Sequence, residues 1–170
     1  MATDYSKILQ ATFKQQLKDR GFIKTRANWN KHYPQSIGVF NLQRSHYSPA
    51  FYINLGVYFP ALGANDRPNA AHCHILRRMD EMVPDRMRLH DLLNFERSIF
   101  LLVRQNELRS AVTEHALPWI DSVSTFAGAA EYAALVPSKH PFVKKEARVF
   151  LGLAEGPNNS FKPNPLRGSA

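Results

Sequence analysis

Between Phe51 and Phe59 the chain alternates without a break, with Phe51, Ile53, Leu55, Val57 and Phe59 set between Tyr52, Asn54, Gly56 and Tyr58. A period of two places alternate side chains on opposite faces of a strand, so the five apolar residues share one side and must be laid on a core. A strand so biased needs neighbours and a covering layer. Three further segments have strand character: Phe22 to Trp29, Ile37 to Arg44 and Ala71 to Met79. They are separated by Tyr33-Pro34, Ser48-Pro49 and the loop Pro60 to Asn69, which are turn and loop signals. The expectation is a four-stranded, largely antiparallel meander.

Helical periodicity brackets this sheet. Thr3 or Asp4 can cap a helix whose stripe is Tyr5, Ile8, Leu9, Thr12, Phe13 and Leu17, closed by Gly21. After Pro84 the period changes again. Asn94 can cap a helix directing Ile99, Leu102, Val103 and Val112 inward, with Pro118 kinking or restarting it before Trp119, Ile120 and Val123. An alanine-rich helix from Thr125 to Leu135 follows, and a last one begins near Pro141, burying Phe142, Val143, Val149, Phe150 and Leu153 until Gly156-Pro157 stops it. Strands first and helices afterwards predict an α+β fold, with one domain over residues 1–156 and an unstructured tail over 157–170. Three prolines and two glycines within residues 156–170 predict the tail independently.

The balance of residues narrows the class. Hydrophobic residues make up 44% and charged residues 21% of the 170, ordinary globular usage that favours neither a disordered nor a fibrous chain. No apolar run of signal-peptide length occupies Met1 to Gln10 and none of about 20 residues occurs later, so the expected location is the cytoplasm, with no membrane partner. Cys73 is the single cysteine, which excludes an internal disulfide and a four-cysteine zinc site. The net charge of +8 is concentrated at the start: residues 1–50 hold eight Lys/Arg against two Asp/Glu. Lys14, Lys18, Arg20, Lys24, Arg26 and Lys31 could meet nucleic-acid phosphates, or be a solvated helix face and a strand edge protected by lysine.

Catalytic templates are missing. The chain has no Gly-x-Ser-x-Gly elbow, no phosphate-binding glycine loop, no Gly-x-Gly-x-x-Gly turn, and no acid two residues before a lysine. No catalytic residue and no cofactor is therefore assigned. His72 and His74 would share a face of the fourth strand, either as a metal-binding pair for a hydrolase or nuclease or as polar residues of the sheet. The same alternation turns Cys73 away from both and marks it as a small core residue. His90-Asp91 is either a phosphohydrolase doublet or a helix cap made by Asp91.

Parity gives a more specific candidate. With Phe40 and Leu42 facing inward beside the Phe51 to Phe59 row, Asn41, Gln43, Tyr52, Asn54, Tyr58, His72, His74 and Arg78 share the other side. Amides, phenols and imidazoles make directional hydrogen bonds, the chemistry of a recognition surface for a protein or a small polar ligand. The alternative is that the later helices cover this face too, making the same residues satisfied interlayer groups.

Two resemblances complete the reading. Gly21-Phe22, Asn41-Leu42-Gln43-Arg44-Ser45, Ile53-Asn54-Leu55-Gly56-Val57 and Cys73-His74-Ile75 with Arg78, in this order and spacing, resemble the bacterial family called domain of unknown function 4304. The resemblance covers roughly residues 5–115 and implies a fold, not an activity; Asp80 stands where the family pattern suggests glycine. The tail from Asn158 to Ala170 resembles translated recombination-site DNA at the end of integron gene cassettes. That resemblance implies a mobile gene with an accessory role.

Overall fold

In the computed structural model, which describes residues 4–136 and 142–153, helix α1 (Tyr5–Asp19) opens on Asp4, whose carboxylate accepts from the Lys7 amide. It buries Leu9, Thr12, Phe13 and Leu17 and ends before Gly21 at φ 85°, a left-handed position that glycine takes without strain. Five strands follow as an antiparallel meander in the order of the chain: β1 (Ile23–Thr25), β2 (Asn28–His32), β3 (Ile37–Arg44), β4 (Phe51–Tyr58) and β5 (Ile75–Arg78). The expected α+β class and antiparallel sheet are present, with one strand more than expected. The run Phe22 to Trp29 is a hairpin in which Thr25 pairs with Asn28 across Arg26 and Ala27, and Arg26 takes φ 57°. The segment Ala71 to Met79 also differs: Ala70–His72 is a 3-10 turn, and only Ile75–Arg78 is strand.

Among the described residues, every α-helix packs on one face of this sheet. Phe40, Leu42, Phe51, Ile53 and Leu55 meet α1, α2 (Arg86–Leu93), α3 (Leu101–Ala111) and α4 (Leu117–Val123) in one cluster containing Phe13, Leu89, Leu108 and Ile120. Val57, Phe59 and Ile75 meet α5 (Phe126–Leu135) and α6 (Lys145–Phe150) in a second, through Ala129, Ala133 and Ala147. Alanines at these positions let the helices approach the sheet closely. Leu55 is fully buried, as alternation requires.

The helices after the sheet depart from expectation in register. Asn94 closes α2 as its C-cap instead of opening α3, Asp85 caps α2 at its start, and Asp91 pairs with Arg97 instead of capping. Leu102 and Val103 face solvent, while Arg104 and Leu108 are the buried residues of α3. At Pro118 the helix restarts as expected: a π-helical turn at Val112–Ala116 leads out of α3, and α4 begins with the proline in its first turn, where the missing donor is tolerated. Thr125 caps α5 through the Gly128 amide. In the last segment Val143 bridges Ile75 ahead of α6, and Val149 is exposed. Pro141 and the tail at 157–170 lie outside the described residues. Among the described residues no helix is long and apolar enough to cross a membrane.

Candidate functional site: an amide-floored groove on the helix-free face

The face of the sheet opposite the helices divides in two. Register places Val39, Gly56 and Leu76 in one row and, one pair further along, Asn28, Asn41, Asn54 and Arg78 in the next. The chain between β4 and β5 folds back over the first half. Its anchors are the Asn30 amide donating to Pro68 O at 2.8 Å, the Asn65 amide donating to the Tyr58 hydroxyl at 3.1 Å, and Cys73 seated on Gly56. A Cβ on Gly56 would come within 2.8 Å of Cys73 Cβ, so glycine is required for this closure. Burial pushes the Cys73 thiol up to about 12, and it stays protonated.

The second half is left open as a groove of about 650 Å³. Its polar floor and walls are Asn28, Asn41, Gln43, Tyr52, Asn54 and Arg78, with Asn69 at the rim. Leu76, Phe142, Ala70 and Ala71 provide the apolar walls. The volume lies within the range of about 300–1,000 Å³ usual for small-molecule sites.

The floor is a chain of carboxamides. The Asn54 amide donates to Asn41 Oδ1 and to Gln43 Oε1, both at 2.9 Å, and the Asn41 amide donates to Asn28 Oδ1 at 2.9 Å. Asn54 is only 8% exposed and its amide hydrogens are both used, so the chain is held rigidly where it meets the core. Beside it, the Arg78 guanidinium lies 4.1 Å from the centre of the Tyr52 ring. Arg78 Nε is 3.7 Å from Asp80, a buried carboxylate that also meets Arg86 at 3.3 Å and His90 at 2.8 Å. The aspartate in the place where glycine was expected therefore anchors a cationic cluster at the end of β5.

Of the eight residues that alternation had grouped, the structure brings five together here: Asn41, Gln43, Tyr52, Asn54 and Arg78. The other three sit elsewhere. Tyr58 is buried beneath the β4–β5 excursion, 4.8 Å from the His74 ring. His74 precedes β5 and its Nδ1 accepts from the Phe59 amide at 3.0 Å; burial, reinforced by Lys144, holds it below the ordinary imidazole value. His72 is on the 3-10 turn, exposed, its Nδ1 accepting from the Asn69 amide. The two histidines do not form a strand pair, because the pleat that would align them is replaced by the turn. Among the described residues no group of three His, Cys, Asp or Glu is placed to hold a metal.

Asn28, Asn69 and Phe142 belong to the groove and escaped the sequence reading. Asn28 was hidden because Arg26-Ala27 carries none of the Asn-Gly or Asp-Gly signals of a tight hairpin. Asn69 and Phe142 arrive from distant segments and have no local signature. The basic N-terminal residues are partly engaged within the fold: Lys31 Nζ donates to Asp121 at 2.9 Å, and Lys24 lies over Trp29. Lys14 and Lys18 are exposed on α1.

The family model of the domain of unknown function DUF4304 matches residues 13–122, more than half of the chain. The chain belongs to this family. The DUF4304 match takes in all of β1–β5, the C-terminal part of α1 and most of α4, and so includes the groove's floor; Phe142 lies beyond it. No curated protein and no solved structure matches the chain.

Proposed function

We propose that this DUF4304 protein is a non-enzymatic binding protein whose groove holds a small polar ligand against the sheet. One observation carries the reading: a preorganised row of carboxamides floors an open groove on the face the helices leave bare. A rigid polar floor beside apolar walls is the composition of a small-molecule site. Among the described residues lining it there is no carboxylate, imidazole or thiol, so it offers no ordinary general base or strong nucleophile. The tail's resemblance to a cassette end would make such a protein accessory, gained with a mobile gene.

The test is ligand-observed NMR on the purified chain with a mixed library of sugars, nucleosides, amino acids and organic acids. Saturation transfer to at least one class is expected, and it should vanish in Tyr52→Ala while the amide spectrum stays dispersed. Signals that persist undiminished in Tyr52→Ala, or no transfer to any class, would remove the groove as the binding site.

A further inference from the structure

The hydrogen bonds of the groove floor have a direction, and that direction selects a ligand. A backbone carbonyl can only accept, and Ala27 O lies 3.4 Å from the Asn41 carboxamide, so the atom facing it is Nδ2. The same nitrogen faces Asn28, which must therefore present Oδ1. Asn41 Oδ1 is then left for Asn54 Nδ2, and Asn54 Nδ2 in turn requires Oε1 from Gln43. The chain thus consumes the oxygens of Asn28 and Gln43. Their NH2 groups, at opposite ends of the row, have no partner among the described residues.

Arg78 extends this donor set. Its guanidinium carbon lies over the Tyr52 ring and its Nε is turned to Asp80, while Nη1 and Nη2 have no partner among the described residues. Asp80 does not neutralise it, because one carboxylate serves two guanidiniums, Arg78 and Arg86, before His90 is counted. The groove therefore offers unpaired donors and a net positive charge, with no acid in its lining among the described residues.

Resting on the binding-protein reading, we infer that the ligand is a small monocarboxylic acid with a compact apolar body. Its carboxylate is taken by the planar fork of Arg78 with help from the Gln43 amide, the free donor nearer β5, and its body lies against Leu76, Phe142 and the alanines. A guanidinium held over a ring presents, on its free edge, two parallel N–H groups at carboxylate spacing. One cation in the lining suits a monoanion; a phosphate dianion would call for further charge.

Phenylacetate, hexanoate, their primary amides, inorganic phosphate and a short peptide with a free C-terminus are titrated separately by calorimetry and amide chemical-shift mapping. The free acids should bind at the groove and their amides at least about tenfold more weakly, the scale of one charge-assisted bidentate contact. Arg78→Met should abolish acid binding, Arg78→Lys should weaken it about tenfold by losing the planar fork, and Gln43→Ala on the exposed rim should weaken it less. Equal affinity for acids and amides, preference for phosphate or for the peptide alone, retention in Arg78→Met, or no acid binding at millimolar concentration each overturns the assignment. If amides or sugars bind and Tyr52→Ala abolishes that binding while Arg78→Met does not, the groove remains a ligand site and only the carboxylate is lost.

Discussion

Two halves of the same sheet face, built on the same pleat, behave in opposite ways. The half around Val39, Gly56 and Tyr58 is sealed by the excursion between β4 and β5 and is as dry as the helix side. The half around Asn41, Gln43, Tyr52 and Arg78 stays in contact with solvent. Side-chain size at one position separates them. Gly56 lets Cys73 settle onto the sheet, whereas Asn54 and Tyr52 on the same strand fill that space with their own side chains. A loop can cover a sheet only where the sheet leaves room for it.

The largest effect should come from removing that room. Gly56→Val places methyl groups where Cys73 now sits, and overpacking of this kind costs about 1–3 kcal/mol or more. The urea midpoint should fall accordingly, with protection of the amides of residues 60–73 lost first in hydrogen exchange. A variant as stable as the parent would mean that the two halves do not differ for the reason given.

Asn54→Ala probes the boundary between the halves and should cost less, about 1–2 kcal/mol for two amide hydrogen bonds in a mostly buried place. Its second consequence is more specific. Without the Asn54 donor, Gln43 is free to rotate and its side-chain amide resonances should broaden, while those of Asn41, still held by Ala27 O and Asn28 but losing the donor on its Oδ1, should shift. Sharp, unmoved signals from both would show that the row is not a connected unit.

The sealed half should also respond to acid. Burial, reinforced by Lys144 and opposed by Glu146, depresses the folded-state value of His74 below its ordinary 6.5. The unfolded chain then binds the extra proton first, so stability is full above about pH 6.5 and falls as the pH drops through the lowered value. Replacing His74 by Gln should flatten the pH dependence of the denaturation midpoint between neutral and mildly acidic pH. An unchanged slope would place the titrating group elsewhere.

These contrasts mark how far the sequence could be read. The alternation in β4 was legible because period two is a local property, and it assigned Leu55 to the core and Asn54 to the other side. What it could not show was which part of that other side would be covered, since the cover comes from residues 60–73 and from Phe142. The turn at Ala70–His72 hid in a stretch with strand-like residues, and with it went the apparent pairing of His72 and His74. In α3 the most hydrophobic residues misled. Arg104 is buried in place of Leu102 because its guanidinium donates to the carbonyls of Asp91, Leu92, Asn94 and Arg97 and rests on Phe95. A charged side chain that satisfies a whole turn of carbonyls outweighs an apolar pattern, and no periodicity reports it.

The smallest expected change sharpens the comparison most. Gln43 is exposed at the outer end of the row, and its side chain accepts from Asn54 without filling any enclosed space. Water can replace that acceptor, so Gln43→Ala should shift stability by less than about 0.5 kcal/mol. The Asn54 amide would keep its bond to Asn41, and the direction of the remaining row, set by the Ala27 carbonyl, would not change. The measurement is a denaturation curve taken with side-chain amide spectra of Asn28, Asn41 and Asn54. A loss approaching that of Asn54→Ala would mean the open half is as tightly coupled to the core as the sealed half, and the distinction between a structural and a ligand-facing region of this sheet would fail.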